Sequence, residues 1–348
     1  MMNIKTDKIY NFGIIGAGNV SKIHAKAIAE IGKARLLAVC STNIDKARAL
    51  ATDFGVDHIY TDYHEMLQRD DLDIVCILTP NGTHAEIGIA AAEAAKHVII
   101  EKPIDISLDK ADALINACKD SHVKLGIIFQ HRFDESTQFL KDAVEQGNLG
   151  KLILGDAHIK WYRSQDYYDS GAWRGTWGMD GGGVLINQGI HTIDLLLHVM
   201  GDVESVCGYC STLGHERIEV EDMATAALRF KNGALGTIIG STCVHPGLPA
   251  RLEIHGTKGS AIIEGDQLVR YEVGKEGTGK GKDTASVETG ASDPMAIDFK
   301  AHKLQIQDMI DAIEEGREPL VTGEEGKKAL SLILAIYESA KTGKPVKL

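Results

Sequence analysis

Short apolar runs alternate with amphipathic stretches through the first 130 positions of the chain. The apolar runs predict strands at 10–15, 36–40, 73–78, 97–101 and 123–129, with a short edge strand at 58–60. The stretches between them predict helices at 20–31, 44–54, 63–69, 83–95 and 107–121. Strands and helices alternating at this spacing pair in parallel through right-handed crossovers, so the pattern predicts a doubly wound parallel α/β sheet.

The pattern changes after residue 150, where strands follow one another directly. They are predicted near 152–161, 203–212, 221–230, 233–242, 250–256 and 260–265. Turn pairs such as Asn232-Gly233 and Lys258-Gly259 join several of them, which predicts an open, mainly antiparallel sheet with one helix near 184–199 packed on it. Helices near 300–315 and 324–342 close the chain, and residues 273–292, rich in Gly, Lys and Glu, are predicted to form a surface loop.

A chain of 348 residues exceeds the usual size of one hydrophobic core. We therefore predict a doubly wound domain over 1–129 and an α+β domain over 130–348, with the last helix, 324–342, able to return to the first domain. The net charge of -12 argues against nucleic acid or an anionic membrane as partner. A polar N-terminus and the lack of any long apolar stretch predict a cytoplasmic protein.

The six cysteines lie mostly in apolar, strand-like runs and are interpreted as buried thiols. Cys207 and Cys210 form a Cys-x-x-Cys pair, but they lie in an alternating segment where residues three apart face opposite sides. We therefore expect no metal site.

Residues 13–21 read Gly-Ile-Ile-Gly-Ala-Gly-Asn-Val-Ser and lie where the first strand passes into the first helix. Gly16 permits a tight turn, and Gly18 lets the backbone approach a pyrophosphate. Asn19 and Val20 open a helix whose N-terminus stabilises that anion. This turn predicts a Rossmann domain that binds NAD or NADP.

The end of the second strand usually decides between the two cofactors, because an acidic residue there bonds the ribose of NAD. This chain has no carboxylate at 40–43. The hydroxyls of Ser41 and Thr42, with the ammonium of Lys46, can receive a 2'-phosphate, which favours NADP. If Lys46 is only a solvated helix residue, the same hydroxyl-lined pocket takes NAD.

Two polar segments follow the strands at 73–78 and 97–101 and fall at the carboxyl edge of the predicted sheet, beside the expected nicotinamide. The residues predicted to line the cofactor there are Thr79, Pro80, Asn81, His84, Glu101 and Lys102. Lys102 can also reach bound substrate, where it would hold the reacting oxygen and stabilise developing negative charge.

A glycine-rich segment, 180–183, opens the predicted helix at 184–199. Helical spacing would place Asn187, His191 and Asp194 on one face. Oxidation of a carbinol needs a base for the hydroxyl proton, and histidine suits this role because its pKa lies near neutrality. We predict His191 as the base and Asn187 as a residue that orients substrate or imidazole. The alternatives are a core histidine at 191 and an Asp194 that bonds locally within the helix.

Segment 161–177 contains all three tryptophans of the chain. Aromatic faces stack on sugar rings, and arginines bind hydroxyls, carboxylates or phosphates, so Tyr162, Trp173 and Arg174 are predicted to bind a carbohydrate. The alternative is an interface or a lid whose aromatic residues pack between subunits, above all Trp177.

These motifs together resemble the glucose-fructose oxidoreductase, inositol dehydrogenase and MocA family (Gfo/Idh/MocA). The resemblance covers the glycine turn, Thr79-Pro80-Asn81 with His84, Glu101-Lys102-Pro103, Gln130-His131-Arg132-Phe133, and the segment from Gly181 to Asp194. It implies an NAD(P)-linked oxidoreductase of sugars and cyclitols, a homodimer or homotetramer formed through the second sheet, Lys102 and His191 as catalytic residues, and Arg132 at the substrate. Many members carry aspartate where this chain has Asn187.

The tract at 167–191 looks most like the branch of nucleotide-sugar dehydrogenases that oxidise a C3 hydroxyl, including the UDP-N-acetylglucosaminuronate type.

Three functions follow as hypotheses. The first is a dehydrogenase acting on a secondary hydroxyl of a sugar, cyclitol or sugar nucleotide. The second is a glycoside hydrolase that uses tightly held NAD to oxidise C3 transiently, and the third is a non-catalytic cofactor sensor.

Overall fold

The computed structural model describes residues 8–274 and 299–348, which fall into two compact units. The first unit contains residues 8–128 and 299–325, and the second contains 129–274 and 326–348. From residue 275 onward, the surface loop predicted at 273–292 lies outside the described residues.

The first unit is built on a six-stranded parallel sheet in the order β3-β2-β1-β4-β5-β6. Its strands are β1 Tyr10–Ile15, β2 Ala34–Cys40, β3 His58–Tyr60, β4 Ile74–Ile77, β5 His97–Ile100 and β6 Leu125–Ile127. The helices between them are α1 Asn19–Ala29, α2 Ile44–Phe54, α3 Tyr63–Leu67, α4 His84–Glu93 and α5 Leu108–Asp120. Strand order reverses between β1 and β4, which is where such sheets bind ligands at their carboxyl edge. The predicted doubly wound sheet is confirmed.

The second unit is built on an eight-stranded sheet in the order β13-β12-β11-β7-β10-β9-β8-β14, antiparallel except where β7 meets β10. Its strands are β7 Leu152–Lys160, β8 Val203–Ser211, β9 Met223–Phe230, β10 Leu235–Ser241, β11 Arg251–Gly256, β12 Gly259–Glu264, β13 Gln267–Val273 and β14 Val346–Lys347. Three of its helices are α6 Glu135–Glu145, α7 Gln165–Asp169 and α8 Ile190–Met200. The predicted α+β architecture is confirmed, although α6 and β13 are additions to the predicted elements.

Helix α8 packs closely on β7 because a glycine faces it. A Cβ at Gly155 would lie 2.7 Å from Met200 Cγ, so a larger residue at 155 would push the helix away. Nine of the eleven residues of α8 are buried. The helix therefore forms the core of this unit and fixes whatever its N-terminus carries.

The two closing helices are α9 Lys300–Glu315 and α10 Gly323–Thr342. The sequence pattern places 300–315 in the second domain and lets the last helix return to the first, but the structure shows the reverse. Ile306, Met309 and Ile310 of α9 join the buried apolar cluster around Phe12 and Ile14. Most of α10 belongs to the second unit, where Ser339 Oγ accepts a hydrogen bond from Gly208 N at 3.1 Å. Apolar periodicity shows that each helix has a buried face but does not show which sheet covers it.

Among the described residues, no helix combines the length and the apolar character that crossing a bilayer requires.

Candidate active site

The glycine turn after β1 has the geometry of a dinucleotide cradle. Gly16 has φ +106°, and a Cβ there would lie 2.5 Å from Leu78 O, so only glycine fits. A Cβ at Gly18 would meet nothing within 4 Å, which leaves its backbone open to a phosphate. Helix α1 starts at Asn19 with no side-chain cap and no acidic residue in its first turn, so its N-terminal amides suit an anion. The residues fit a bound dinucleotide.

The segment after β2 is polar and exposed, as its sequence predicts. Ser41 Oγ accepts a hydrogen bond from Asn43 N at 3.2 Å, while Thr42 and the side chain of Lys46 lie at the surface. Burial, with the negative charges of Asp62 and Glu65, raises the pKa of Cys40 to about 12. These carboxylates follow β3 and lie close to the end of β2.

His84 joins the two loops at the carboxyl edge of the first sheet. Its Nδ1 lies 2.7 Å from Pro103 O and its Nε2 lies 2.8 Å from Thr79 O. Burial lowers the pKa of His84, against the raising effect of these carbonyl contacts. The ring of His84 is buried and fixes the loop that contains Thr79, Pro80 and Asn81. Its contact with the cofactor stays a prediction.

Glu101 is also buried, and two histidines from distant parts of the sequence surround it. Its Oε1 lies 2.9 Å from His24 Nε2 and 3.6 Å from His302 Nε2, and its Oε2 accepts from Lys102 N at 3.2 Å. Burial alone would raise the pKa of Glu101, but the two histidine contacts hold that pKa well below its ordinary value. The ionised carboxylate thus fixes the backbone at Lys102. These three side chains could also hold a metal ion, although the 2.9 Å contact has the length of a direct hydrogen bond.

Lys102 follows the end of β5 and is half-buried. Because β5 lies beside β4, and β4 beside β1, Lys102 shares the carboxyl edge of the sheet with Thr79 and the glycine turn. This is the placement that the sequence predicts for a residue beside a bound nicotinamide.

In the second unit, the segment from Gly181 to Gly189 is a series of turns, and helix α8 begins only at Ile190. The predicted helix start at 184 is wrong because Gly181 and Gly182 have φ +82° and +157° and Gly183 packs against the backbone of Glu221, just before β9. A Cβ at Gly183 would lie 1.7 Å from Glu221 O. Asn187 therefore precedes the helix, whereas His191 lies in its first turn.

A buried carboxylate holds this glycine-rich segment. Glu221 accepts hydrogen bonds from Gly183 N at 2.9 Å, Leu185 N at 3.0 Å and Tyr337 Oη at 2.8 Å. Burial raises the pKa of Glu221 to about 7 despite these three donors. Sequence reasoning missed this residue, since Tyr337 lies 116 positions away from it.

Asn187 is fixed by a second buried carboxylate. Asn187 Nδ2 donates to Asp180 Oδ1 at 3.0 Å, and Asp180 Oδ2 accepts from Gly175 N at 2.9 Å. These two hydrogen bonds tie the side chain of Asn187 to the backbone at Gly175 through Asp180.

The half-buried ring of His191 packs edge-on against Phe129 and His131, with ring centroids 5.9 and 5.4 Å away. Asp194 forms a two-point ion pair with Arg132, at 2.8 Å to Nε and 2.6 Å to Nη2. The guanidinium of Arg132 is buried and paired through both of these nitrogens. The ion pair anchors α8 to the segment before α6, and the role of Arg132 in substrate binding stays a prediction.

The aromatic tract brings two predicted residues together and leaves a third apart. The Arg174 guanidinium lies 4.4 Å from the centroid of the Tyr167 ring and 4.6 Å from that of Trp173. Tyr162 instead packs edge-on against His245 at 5.0 Å. Trp177 is exposed and its ring meets Tyr337 edge-on at 5.2 Å.

All six cysteines are free thiols, and Cys207 and Cys210 both lie on β8. Burial raises the pKa of Cys210 to about 12, which leaves this thiol protonated and poorly nucleophilic at neutral pH.

Comparison with known proteins agrees with this geometry. A family profile described as an oxidoreductase family with an NAD-binding Rossmann fold matches residues 10–129, and a profile of the GFO/IDH/MocA C-terminal domain matches residues 137–262. The chain belongs to the Gfo/Idh/MocA family of NAD-binding oxidoreductases. The resemblance inferred from its motifs is thereby confirmed.

Several relatives of this Gfo/Idh/MocA protein match over nearly their whole length. A myo-inositol 2-dehydrogenase from Thermotoga maritima is 31% identical over 97% of this chain and 98% of that protein. A levoglucosan dehydrogenase from Pseudarthrobacter phenanthrenivorans is 27% identical over 95% of this chain and 96% of its own. The structure of the WlbA dehydrogenase from Bordetella pertussis, in complex with NADH and UDP-GlcNAcA, is 33% identical with a TM-score of 0.86 and covers 98% of this chain and 99% of that one.

Proposed function

We propose that this protein catalyses the NAD-linked oxidation or reduction of a secondary hydroxyl of a sugar, cyclitol or sugar nucleotide. The observation that carries the proposal is the placement of Lys102 at the same carboxyl edge as a glycine turn that fits a dinucleotide. The relatives named as inositol and levoglucosan dehydrogenases support a polyhydroxylated substrate.

In this proposal, Lys102 and His191 are the catalytic residues. A dinucleotide held at the glycine turn of Gly16 and Gly18 would supply the hydride acceptor for oxidation of the carbinol carbon. The imidazole of His191 takes the hydroxyl proton during oxidation and returns it during reduction. The ammonium of Lys102 donates a hydrogen bond to the reacting oxygen and stabilises its negative charge. Asn187, held by Asp180, orients the substrate or the imidazole by hydrogen bonds.

The experiment assays a panel of sugars, inositols and UDP-sugars with NAD and with NADP. In Lys102→Ala and His191→Ala we expect kcat to fall by about 10²- to 10⁴-fold, because each loses a group that acts in the transition state. The Kd for NADH should change less than about threefold, since neither side chain is assigned to the phosphates or the ribose. Lys119→Ala is the control, because Lys119 is an exposed residue of α5 paired with Glu324 at 3.0 Å. Unimpaired turnover in both test variants would refute the assignment.

For the cofactor we propose NAD, although the hydroxyls at 41–42 and Lys46 favour NADP. The carboxylates of Asp62 and Glu65 lie near the end of β2, where they would repel a 2'-phosphate. The WlbA structure was also solved with NADH. We expect kcat/KM to be at least about tenfold higher with NAD than with NADP, and the reverse preference would favour the sequence-based prediction.

We further propose that the chain forms a homodimer or homotetramer through the open face of its eight-stranded sheet. Tyr209 and Leu235 on that face are 74% and 52% exposed, which is unusual for large apolar side chains. Light scattering should give the mass of a dimer or tetramer. Replacing both residues with lysine should shift that mass toward the monomer, and a wild-type monomer would contradict this proposal.

A further inference from the structure

Arg174 is a half-buried cation whose charge no carboxylate of the described residues neutralises. Its guanidinium lies between the rings of Tyr167 and Trp173, and its Nη1 donates to Tyr167 Oη at 2.7 Å. Arg217, nearby in the second unit, is by contrast paired with Asp169 at 2.7 Å. Two flanking rings hold the guanidinium plane in place and leave its other N–H groups available for a ligand.

The hydroxyl of Tyr167 joins this cation to the segment before α8. Gln188 Nε2 donates to Tyr167 Oη at 3.2 Å, so the side chains of Arg174 and Gln188 meet at one oxygen atom. Gln188 is only 5% exposed, and its Oε1 has no hydrogen-bond partner among residues 8–274 and 299–348. A buried carbonyl oxygen without a donor is costly, and a ligand hydroxyl would satisfy it.

More positive than negative side-chain charge surrounds Tyr167. The guanidinium of Arg163 lies 5.6 Å from the centroid of the Tyr167 ring. Asp180 is the acidic residue whose charge also acts on Tyr167, but both of its oxygens accept hydrogen bonds from Gly175 N and Asn187 Nδ2. Two guanidinium groups therefore flank one tyrosine, with one carboxylate near them.

We infer that Arg174, Tyr167 and Gln188 form a recognition site for an acidic sugar, in which Arg174 binds an anionic oxygen group and Gln188 Oε1 accepts from a sugar hydroxyl. The fork of an arginine matches the two oxygens of a carboxylate or a phosphate. Gln188 directly follows Asn187 and lies three residues before His191, so this site borders the residues proposed to act on the substrate. The inference rests on the proposed function and names its substrate class.

The test compares substrates that differ only in the acidic group. D-glucuronate is paired with D-glucose, and UDP-N-acetylglucosaminuronate with UDP-N-acetylglucosamine, while myo-inositol serves as the neutral cyclitol. For the wild type we expect kcat/KM to be at least about tenfold higher for the preferred anionic sugar than for the uncharged sugars D-glucose and myo-inositol. A preference within both pairs identifies the carboxylate as the ligand, and a preference for both UDP-sugars over the free sugars identifies the phosphates.

Arg174→Gln should raise KM for the preferred acidic substrate about 10- to 100-fold and leave kcat within about threefold. The activity on D-glucose or myo-inositol, which carry no anionic group, should change less than about threefold, which also shows that the variant folds. Arg174→Lys should recover part of the affinity, since it restores the charge without the fork. Arg217→Gln is the matched control and should behave as the wild type.

Equal use of D-glucuronate, D-glucose, myo-inositol and both UDP-sugars by the wild type would overturn the inference, and so would an equal loss in Arg174→Gln on sugars with and without an anionic group. If no sugar in the panel yields NADH, the proposed dehydrogenase function fails. Calorimetric binding of D-glucuronate and D-glucose to the NADH-loaded wild type and to Arg174→Gln then decides the inference alone. The inference is supported if the wild type binds D-glucuronate more tightly than D-glucose and Arg174→Gln loses this preference. It is overturned if the wild type shows no such preference.

Discussion

At the scale of single residues, Gly16 and Gly18 of the dinucleotide turn have different roles. Gly16→Ala places a Cβ 2.5 Å from Leu78 O at a backbone conformation that alanine rarely adopts, so we expect a loss of stability of about 2 kcal/mol or more. Gly18→Ala meets no protein atom and should unfold at the wild-type temperature. Its methyl group nevertheless occupies the approach to the pyrophosphate, so the Kd for NADH should rise about tenfold.

Thermal unfolding and fluorescence titration with NADH separate these two effects. Normal NADH affinity in Gly18→Ala would contradict the assigned cradle. Equal destabilisation by both substitutions would contradict the different environments of the two glycines.

Asn187 offers a second prediction at this scale. Asn187→Asp brings two carboxyl groups to the 3.0 Å distance that now separates Asn187 Nδ2 from Asp180 Oδ1. Only one of two such groups ionises readily, so we expect a new ionisation in the pH profile of kcat/KM and lower activity at neutral pH. The double variant Asp180→Asn with Asn187→Asp restores the hydrogen bond with the roles exchanged and should regain part of the activity. An unchanged profile in the single variant would exclude this interaction from catalysis.

At the scale of elements, Glu221 couples the glycine-rich segment to β9 and α10. Its pKa of about 7 exceeds the ordinary value of 4.5, so the folded state binds the proton more tightly than the unfolded chain does. The contribution of Glu221 protonation to the free energy of unfolding is complete below pH 4.5 and is lost as pH rises through about 7. This contribution is at most about 3 kcal/mol.

We therefore expect the difference in unfolding free energy between wild type and Glu221→Gln to shrink between pH 5 and pH 8. Urea denaturation at both pH values measures it, with Glu219→Gln, in the preceding loop, as control. A pH-independent difference would show that the glutamate does not take up a proton on folding.

The strand and helix pattern of the first unit was predictable because its elements follow simple apolar periods. The start of α8 was not, because three consecutive glycines and the close passage of Gly183 against Glu221 replace the first helical turns by tight turns. The partners of Glu101 and Arg132 also could not be predicted, since His24, His302 and Asp194 reach them through tertiary packing from positions 62 or more residues away. Lys102 and His191 could be proposed from motifs, because their strand and helix contexts are local.

At the scale of the whole molecule, the first unit is discontinuous in sequence. Helix α9 reaches it after the chain has traversed the second unit, and Gln305 Nε2 donates to Ile127 O at 2.7 Å. A fragment of residues 1–129 would leave the cluster around Phe12 without Ile306, Met309 and Ile310.

We expect that fragment to aggregate or to lack cooperative unfolding, because three buried apolar side chains contribute several kcal/mol, about 1.5–3 each. Circular dichroism during heating checks this. Joining residues 299–325 to the fragment through a flexible linker should restore a cooperative transition, and a stable fragment without them would refute the requirement.

Because α9 follows strands β7 to β13 of the second unit in the sequence, the first unit can complete its core only after those strands have been synthesised. A nascent chain emerging from the ribosome must expose the apolar cavity that α9 fills until residues 300–315 have been translated. The Rossmann sheet can begin to pair early, but its completion waits for a helix that is translated after β13 of the second unit. Premature termination before residue 300 should therefore send even the N-terminal half to chaperones and proteases.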